Sequence, residues 1–91
     1  MKCLVTGATG FLGANLVHEL ARAGWEIKAF GLPGSNIEYI KHLPLELIFG
    51  DITSAQDLDS AVAGCEMVFH VAGDTSWWKK NFPRQRAVNV E

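Results

Sequence analysis

A glycine-rich segment near the start of the chain constrains its fold most. It lies between the apolar run Cys3-Leu4-Val5 and a segment with helical periodicity, and it reads Thr6-Gly7-Ala8-Thr9-Gly10-Phe11-Leu12-Gly13. A strand, a tight turn with three glycines and a helix, in this order, are the context in which such a glycine spacing acquires chemical meaning.

Each glycine of the segment has a distinct expected task. Gly7 can take the positive φ of a sharp turn, Gly10 lets a pyrophosphate approach the backbone, and Gly13 lets the helix pack close to the sheet. Phosphate oxygens would meet the backbone N–H groups of Phe11 and Leu12 at the positive end of the helix dipole. The segment predicts a dinucleotide-binding turn; the alternative is a Gly-rich turn with a structural role alone.

Composition limits the remaining classes. The chain has 91 residues, 48% of them hydrophobic, which is enough for one domain with a core. Eight Lys and Arg against ten Asp and Glu give a net charge of −2, which argues against nucleic acid as a partner. Because no apolar run is long enough for a membrane span or signal peptide, we expect a cytoplasmic protein. Cys3 and Cys65 have no metal-ligand spacing, and we expect buried thiols and no metal site.

Hydrophobic patterns predict alternating strands and helices. The predicted strands are Lys2–Thr6, Glu26–Phe30, Leu45–Phe49 and Met67–Ala72. The predicted helices carry Leu12, Leu16 and Leu20; run from Ser35 or Asn36 through His42; and follow a Thr53/Gln56 capping box with Ala55, Leu58 and Val62 buried. The strands show little alternation, as in a parallel sheet buried on both faces. The fold class is therefore α/β, with a doubly wound parallel sheet in the order 3-2-1-4.

The end of the chain predicts an incomplete fold. A helical segment is expected from Pro83 to the last residue, Glu91, which would leave strand four as an apolar edge of the sheet. An exposed apolar edge favours pairing with another chain, so we expect the 91-residue chain to be marginally stable or self-associating unless the edge is covered. Residues 1–91 are interpreted as the N-terminal part of a dinucleotide-binding domain whose catalytic and substrate region lies elsewhere.

Four motifs together resemble one family. They are the glycine-rich segment, Gly50-Asp51-Ile52-Thr53, Val68-Phe69-His70-Val71-Ala72-Gly73 and Val88-Asn89-Val90. With them, the chain resembles the N-terminal part of an extended short-chain dehydrogenase/reductase. Within that class it is similar to the NAD-dependent epimerase/dehydratase family and its dihydroflavonol-reductase-like branch. The resemblance implies a partial Rossmann-type fold that binds NAD or NADP.

The resemblance also implies roles for individual residues. It implies that the pyrophosphate is bound by Gly7, Gly10, Phe11, Leu12 and Gly13, and the adenine by Asp51 and Ile52. Val71, Ala72 and Gly73 would lie along the cofactor ribose. Asn89 would stabilise the active-site backbone or approach the cofactor. An Asx-type turn at Gly50-Asp51 is the alternative for Asp51. His70 is interpreted as a core histidine and not as a catalyst.

The choice between NAD and NADP is left open by the end of the second strand. NAD users of this fold place an acidic residue there for the ribose 2′-OH, and NADP users place an Arg nearby. This chain has the uncharged run Phe30-Gly31-Leu32-Pro33-Gly34-Ser35, with Leu32 where relatives often carry Arg. The absence of that Arg slightly favours NAD.

Catalysis in the resembled family needs a Tyr with a Lys four residues later, the phenol acting as general acid and base. The chain has one tyrosine, Tyr39, and Leu43 stands four residues after it. No catalytic residue is therefore assigned. In the complete protein we expect a reductase, epimerase or dehydratase acting on a secondary alcohol or ketone, such as a nucleotide sugar, flavonoid-like or sterol substrate.

Two alternatives to that enzyme are kept: a non-catalytic NAD(P)-binding or sensor module with a protein partner, and, more weakly, a module for FAD or mononucleotides. A homo-oligomer is compatible with either class. Trp77-Trp78-Lys79-Lys80, in the loop after strand four, is either an aromatic wall of the substrate pocket or a segment with ordinary packing or a mobile loop.

Overall fold

A computed structural model describes residues 1–71, 80, 82 and 84–90 of the chain. Its elements in chain order are β1 (Lys2–Thr6), α1 (Phe11–Arg22), β2 (Glu26–Gly31), β3 (Leu45–Phe49), α2 (Ala55–Val62), β4 (Met67–Val71) and β5 (Arg86–Val90). The strands form one parallel sheet in the order β3-β2-β1-β4-β5. The predicted order 3-2-1-4 is confirmed and extended by one strand. Parallel neighbours bring the carboxyl ends of all five strands to the same edge.

Helices cover both faces of this sheet. Successive side chains of a strand point to opposite faces. Accordingly Cys3 and Val5 belong to the buried cluster that includes Val17 of α1, whereas Leu4 belongs to the cluster that includes Leu58 of α2. All four of the β1 residues from Cys3 to Thr6 are buried. The central strand is therefore apolar without alternation because it has a helix layer on each side.

The N-cap of helix α2 lies one residue later in the chain than predicted. Ser54, not Thr53, caps it, with the Asp57 N–H donating to Ser54 Oγ at 3.2 Å. The predicted Thr53/Gln56 capping box is therefore wrong, because Thr53 is engaged in a turn before the helix. Ala55 is exposed, and Ala61 takes its place on the buried face.

The helix predicted from Ser35 or Asn36 through His42 does not form. The segment is a series of turns in which Ile37 O accepts from the N–H groups of both Ile40 and Lys41. The Asn36 side chain accepts from the Glu38 N–H at 3.0 Å, as that of an N-cap residue does, but the turns that follow do not continue into a helix. Ile40 is only 1% exposed and packs on the α1 side of the sheet, so the segment covers the core without being a helix.

The helix predicted from Pro83 is also wrong. Arg86–Val90 is the strand β5, which pairs in parallel with β4 in the register Val68↔Ala87 and His70↔Asn89. Strand β4 is consequently an inner strand, and β5 is the outermost strand on that side of the described sheet. Two β-branched valines in five residues favour a strand there.

Both cysteines are buried, unpaired thiols, as predicted. Burial is the main reason why the pKa of the Cys3 thiol rises to about 12, so it is protonated at neutral pH. Among the residues that the structure describes, no group of three or more His, Cys, Asp or Glu side chains is placed to hold a metal. In the same part of the chain, no helix has the length and apolar character needed to cross a membrane.

Candidate dinucleotide site

The glycine turn between β1 and α1 has the backbone that its spacing predicts. Gly7 has a φ of 69°, which L-residues rarely adopt, and it turns the chain directly after β1. A Cβ on Gly13 would overlap the carbonyl oxygen of Gly7 and lie 2.9 Å from the Cα of Ala8. The first turn of α1 therefore lies against the backbone of the glycine turn, and only glycine fits at position 13.

The beginning of α1 presents backbone donors. Gly10 is the N-cap residue, with a φ of −79° and a ψ of 172°, and no side chain caps the helix. The first helical bond runs from the Ala14 N–H to Gly10 O at 2.8 Å. The N–H groups of Phe11, Leu12 and Gly13 precede that bond, so they have no acceptor within the helix. Gly10 brings no side chain to this end of the helix, and a Cβ there would be in ordinary contact with Gly7 O at 3.6 Å.

A cavity lies beside the turn, at the carboxyl ends of β1, β2 and β3. We call it the strand-end cavity; its volume is about 200 Å³. Its lining residues are Gly7, Thr9, Phe30, Gly31, Leu32, Ser35, Gly50 and Ile52. This edge of an open parallel sheet is where α/β proteins bind ligands. The cavity therefore joins the predicted residues Gly7 and Ile52 in one concave surface.

Asp51 lies between two residues of this cavity but is engaged in a turn. Its Oδ1 accepts from the Thr53 hydroxyl at 2.7 Å and from the Thr53 N–H at 2.8 Å. The Asp51 N–H donates to Asp57 Oδ2 at 2.9 Å. The structure thus contains the Asx-type turn that was the alternative for Asp51. An adenine contact stays a prediction, for which Oδ2 is the oxygen not used by Thr53 in these two bonds.

The turn makes a pH-dependent contribution to stability. Hydrogen bonds from the Thr53 hydroxyl and N–H favour the carboxylate and lower the pKa of Asp51. Because the folded-state pKa is lowered, this contribution is complete above the unfolded pKa of about 3.9 and is lost as pH falls through the folded value. We expect the melting temperature of Asp51→Asn to be below wild type at pH 7, and the gap to narrow below about pH 4.

The control for that comparison is Glu38→Gln, which removes an exposed carboxylate from an ion pair with Lys41. Surface ion pairs of this kind contribute little to stability, so the melting temperature of Glu38→Gln should stay close to that of wild type from pH 7 to pH 3. A gap for Asp51→Asn that stays constant from pH 7 to pH 3 would contradict the role of the Thr53 hydrogen bonds.

The remaining predicted residues lie around β4 and β5. Val71 ends β4 next to the turn, and a Cβ on Gly7 would lie 3.4 Å from that of Val71. Asn89 lies in β5, opposite His70 in the register. Ala72, Gly73 and the segment Trp77-Trp78-Lys79 lie outside the described residues. His70 is half-buried, with its Nδ1 2.7 Å from Thr6 Oγ1, which supports the structural role predicted for it.

A second cavity of about 270 Å³ lies on the outer side of α1, and we call it the helix-side cavity. Its lining residues are Thr9, Gly10, Phe11, Ala14, Asn15, His18 and Tyr39. The segment after β2 forms its wall, held by a hydrogen bond of 2.6 Å between His18 Nε2 and Tyr39 O. Thr9 lines both cavities, so the two adjoin at the glycine turn.

Of the residues that line the strand-end cavity, only Gly7 and Ile52 were given a binding role from the sequence; Thr9, Gly31 and Gly50 appeared in the quoted motifs and runs without one. A Cβ on Gly31 would lie 2.7 Å from Thr9 Cγ2, and one on Gly50 would lie 3.0 Å from Phe30 Cζ. Both glycines therefore make room for neighbours at the floor of the cavity. Their place directly at the end of a predicted strand was the available signal.

A doubly wound parallel sheet with a glycine turn and an uncapped helix at its carboxyl edge defines the class of Rossmann-type dinucleotide-binding domains. Within that class, the model of the NAD dependent epimerase/dehydratase family matches residues 3–90. The chain therefore belongs to this family, which confirms the resemblance seen in the four motifs.

Individual relatives agree with that assignment. The chain is 39% identical over 77 residues to a putative dihydroflavonol 4-reductase of Synechocystis, covering 85% of this chain and 22% of that protein. It is 38% identical over 96 residues to a 3-beta-hydroxysteroid dehydrogenase of Mycolicibacterium neoaurum, covering 99% and 26%. The chain thus spans about a quarter of the length of these curated relatives.

A solved structure shows the same fold with a ligand. It is a short-chain dehydrogenase/reductase superfamily protein from Agrobacterium tumefaciens with bound NAD. The TM-score is 0.62 at 27% identity, over 85% of this chain and 22% of that protein.

Proposed function

We propose that this chain forms the NAD(P)-binding part of a reductase, epimerase or dehydratase. The observation that carries the proposal is the beginning of α1, where three backbone N–H groups have no acceptor within the helix and the N-cap residue, Gly10, has no side chain to cap them. Such a helix end, with its partial positive charge, is suited to a pyrophosphate. Membership of the epimerase/dehydratase family supports the same ligand.

The residues present fit a dinucleotide. The pyrophosphate would lie at Gly10, Phe11, Leu12 and Gly13, with Gly7 shaping the turn. The strand-end cavity adjoins that point through Gly7 and Thr9, and its mostly apolar lining suits a flat base. Ile52, 40% exposed in that cavity, is the side chain proposed to contact the adenine, with Asp51 accepting from its amine.

The nicotinamide end would extend toward β4 and β5. We propose that Val71, Ala72 and Gly73 follow the ribose, and that Asn89 supports the backbone near the reacting ring. Bound NAD(P) supplies or accepts a hydride at that ring. The chain's own contribution is to hold the pyrophosphate and the adenosine so that the other end of the cofactor projects beyond the sheet.

The catalytic pair that the resemblance implies, a Tyr with a Lys four residues later, does not occur in the sequence of these 91 residues. Tyr39 is 71% exposed in the turns between β2 and β3, and the residue four positions on is Leu43. We propose that the 91 residues bind the dinucleotide without turning over a substrate, and that the Tyr and Lys pair is supplied outside them. Secondary alcohols and ketones of nucleotide sugars, flavonoids or sterols are the proposed substrates of the complete enzyme.

A calorimetric titration of the chain with NAD and with NADP tests the proposal. A ligand that binds only the folded state increases the free energy of unfolding, by about 2.7 kcal/mol at a ligand concentration of a hundred times its Kd, and so raises the melting temperature. We expect saturable binding with one site and a matching rise in melting temperature. FAD is the control, and its binding in preference to both nicotinamide dinucleotides would reject the proposal.

A further inference from the structure

The wall of the strand-end cavity carries no formal charge. Leu32 follows β2 directly and is 60% exposed, at the position where dinucleotide folds usually place a residue that reads the ribose 2′ position. The other lining residues, named above, are glycines, apolar residues, Thr9 and Ser35. Thus neither a carboxylate nor a cation borders this cavity among the described residues.

The charged groups near the cavity are engaged with other partners. Asp51 Oδ1 accepts two hydrogen bonds from Thr53. On the segment after β2, Glu38 and Lys41 form an exposed ion pair of 3.0 Å with each other. The Ser35 hydroxyl donates to Leu32 O at 2.6 Å, which fixes the turn that carries Leu32. None of Asp51, Glu38 and Lys41 is among the residues that line the cavity, and Asp51 is proposed to meet the adenine amine and not the ribose.

The helix-side cavity also has no carboxylate among its described lining residues. The helix-side cavity adjoins the strand-end cavity at Thr9, and its described lining includes the polar side chains of Asn15 and His18 but no carboxylate. A phosphate placed near Thr9 would therefore meet no carboxylate among the described lining residues of either cavity.

We propose that this site accepts NAD and NADP with comparable affinity, and that Leu32 is the residue that leaves the choice open. The inference depends on the proposed function and refines it. A carboxylate at position 32 would bind the 2′-OH and repel a 2′-phosphate, and an Arg would do the reverse. Leu32 does neither, so the two dinucleotides differ only through interactions with distant charges, which salt screens.

Titrations of the wild-type chain with each dinucleotide give the first result. We expect Kd values within about fivefold of each other, since hydrogen bonds to charged groups, which give roughly ten- to hundredfold effects, are missing. A ratio above tenfold in either direction would overturn the inference while leaving the proposed function intact. Failure to bind either dinucleotide would overturn both.

Variants at position 32 give the second result. Leu32→Asp should weaken NADP binding by about tenfold or more relative to NAD, and Leu32→Arg should shift the ratio toward NADP. Leu32→Asn is the matched control, because it has the size of Asp without the charge, and its ratio should stay near that of wild type. An unchanged ratio in both charged variants would show that Leu32 does not face the 2′ position. Exposure of Leu32 makes all three variants compatible with folding.

Discussion

Gly10→Asp should abolish dinucleotide binding while leaving the melting temperature unchanged or slightly raised. The backbone of Gly10, with a φ of −79°, is open to any residue, and a Cβ there meets no atom closer than 3.6 Å. Asp is a preferred N-cap residue, and a carboxylate near a helix N-terminus adds about 0.3–1 kcal/mol. The same carboxylate occupies and repels the proposed pyrophosphate position, so we expect at least a hundredfold weaker Kd by calorimetry, roughly 2.8 kcal/mol.

Gly10→Asn is the matched control for charge. Asn caps a helix as well as Asp does and has nearly the same size. The Kd of Gly10→Asn should be about tenfold lower than that of Gly10→Asp, because Asn competes for the same N–H groups without repelling phosphate. Wild-type affinity in Gly10→Asp would contradict the placement of the pyrophosphate at α1, and a lowered melting temperature would show that binding was lost through unfolding.

Gly13→Ala should destabilise the fold strongly, in contrast to the changes at Gly10. Within α1, Ala is favoured over Gly by about 1 kcal/mol, so propensity alone predicts stabilisation. The added Cβ, however, would overlap the carbonyl oxygen of Gly7, a backbone atom that cannot move as a side chain does. Overpacking of this kind costs about 1–3 kcal/mol or more, and we expect a net loss of about 2 kcal/mol.

The measurement is thermal unfolding followed by circular dichroism. For a domain of this size, a loss of about 2 kcal/mol lowers the melting temperature by roughly 8–16 °C. Gly10→Ala is the control, because it adds the same methyl group where the nearest atom is 3.6 Å away. Its free energy of unfolding should fall by no more than about 1 kcal/mol. If Gly13→Ala melts at or above the temperature of the wild-type chain, the close packing of α1 on the glycine turn is wrong.

The glycine turn was predictable because its geometry depends on local sequence. Gly7 and Gly13 lie within seven residues of each other, so their spacing alone indicates the turn and the close helix. The strand order followed from the right-handed crossover rule applied to alternating strands and helices. The sequence does not separate the two roles considered for Asp51, because an Asx-type turn and an adenine contact both use an Asp directly after this strand.

The wrong elements were those decided by distant partners. Arg86–Val90 becomes a strand because β4 lies beside it, and although its two valines favour a strand, the segment itself does not reveal a partner about twenty residues away. Similarly, Ile40 is buried by packing on the core near α1, and the turns around it suffice without a helix. Thr9, Gly31 and Gly50 meet at the strand-end cavity only once three strands are aligned.

The most direct test of the account is the response of the backbone amide signals of the isotope-labelled chain to NAD in NMR spectra. The account predicts that the largest shifts occur at Phe11, Leu12 and Gly13, with a second group at Gly31 and Ile52 in the strand-end cavity. Shifts confined to the opposite ends of the strands, or no shift at the beginning of α1 at saturating NAD, would contradict it.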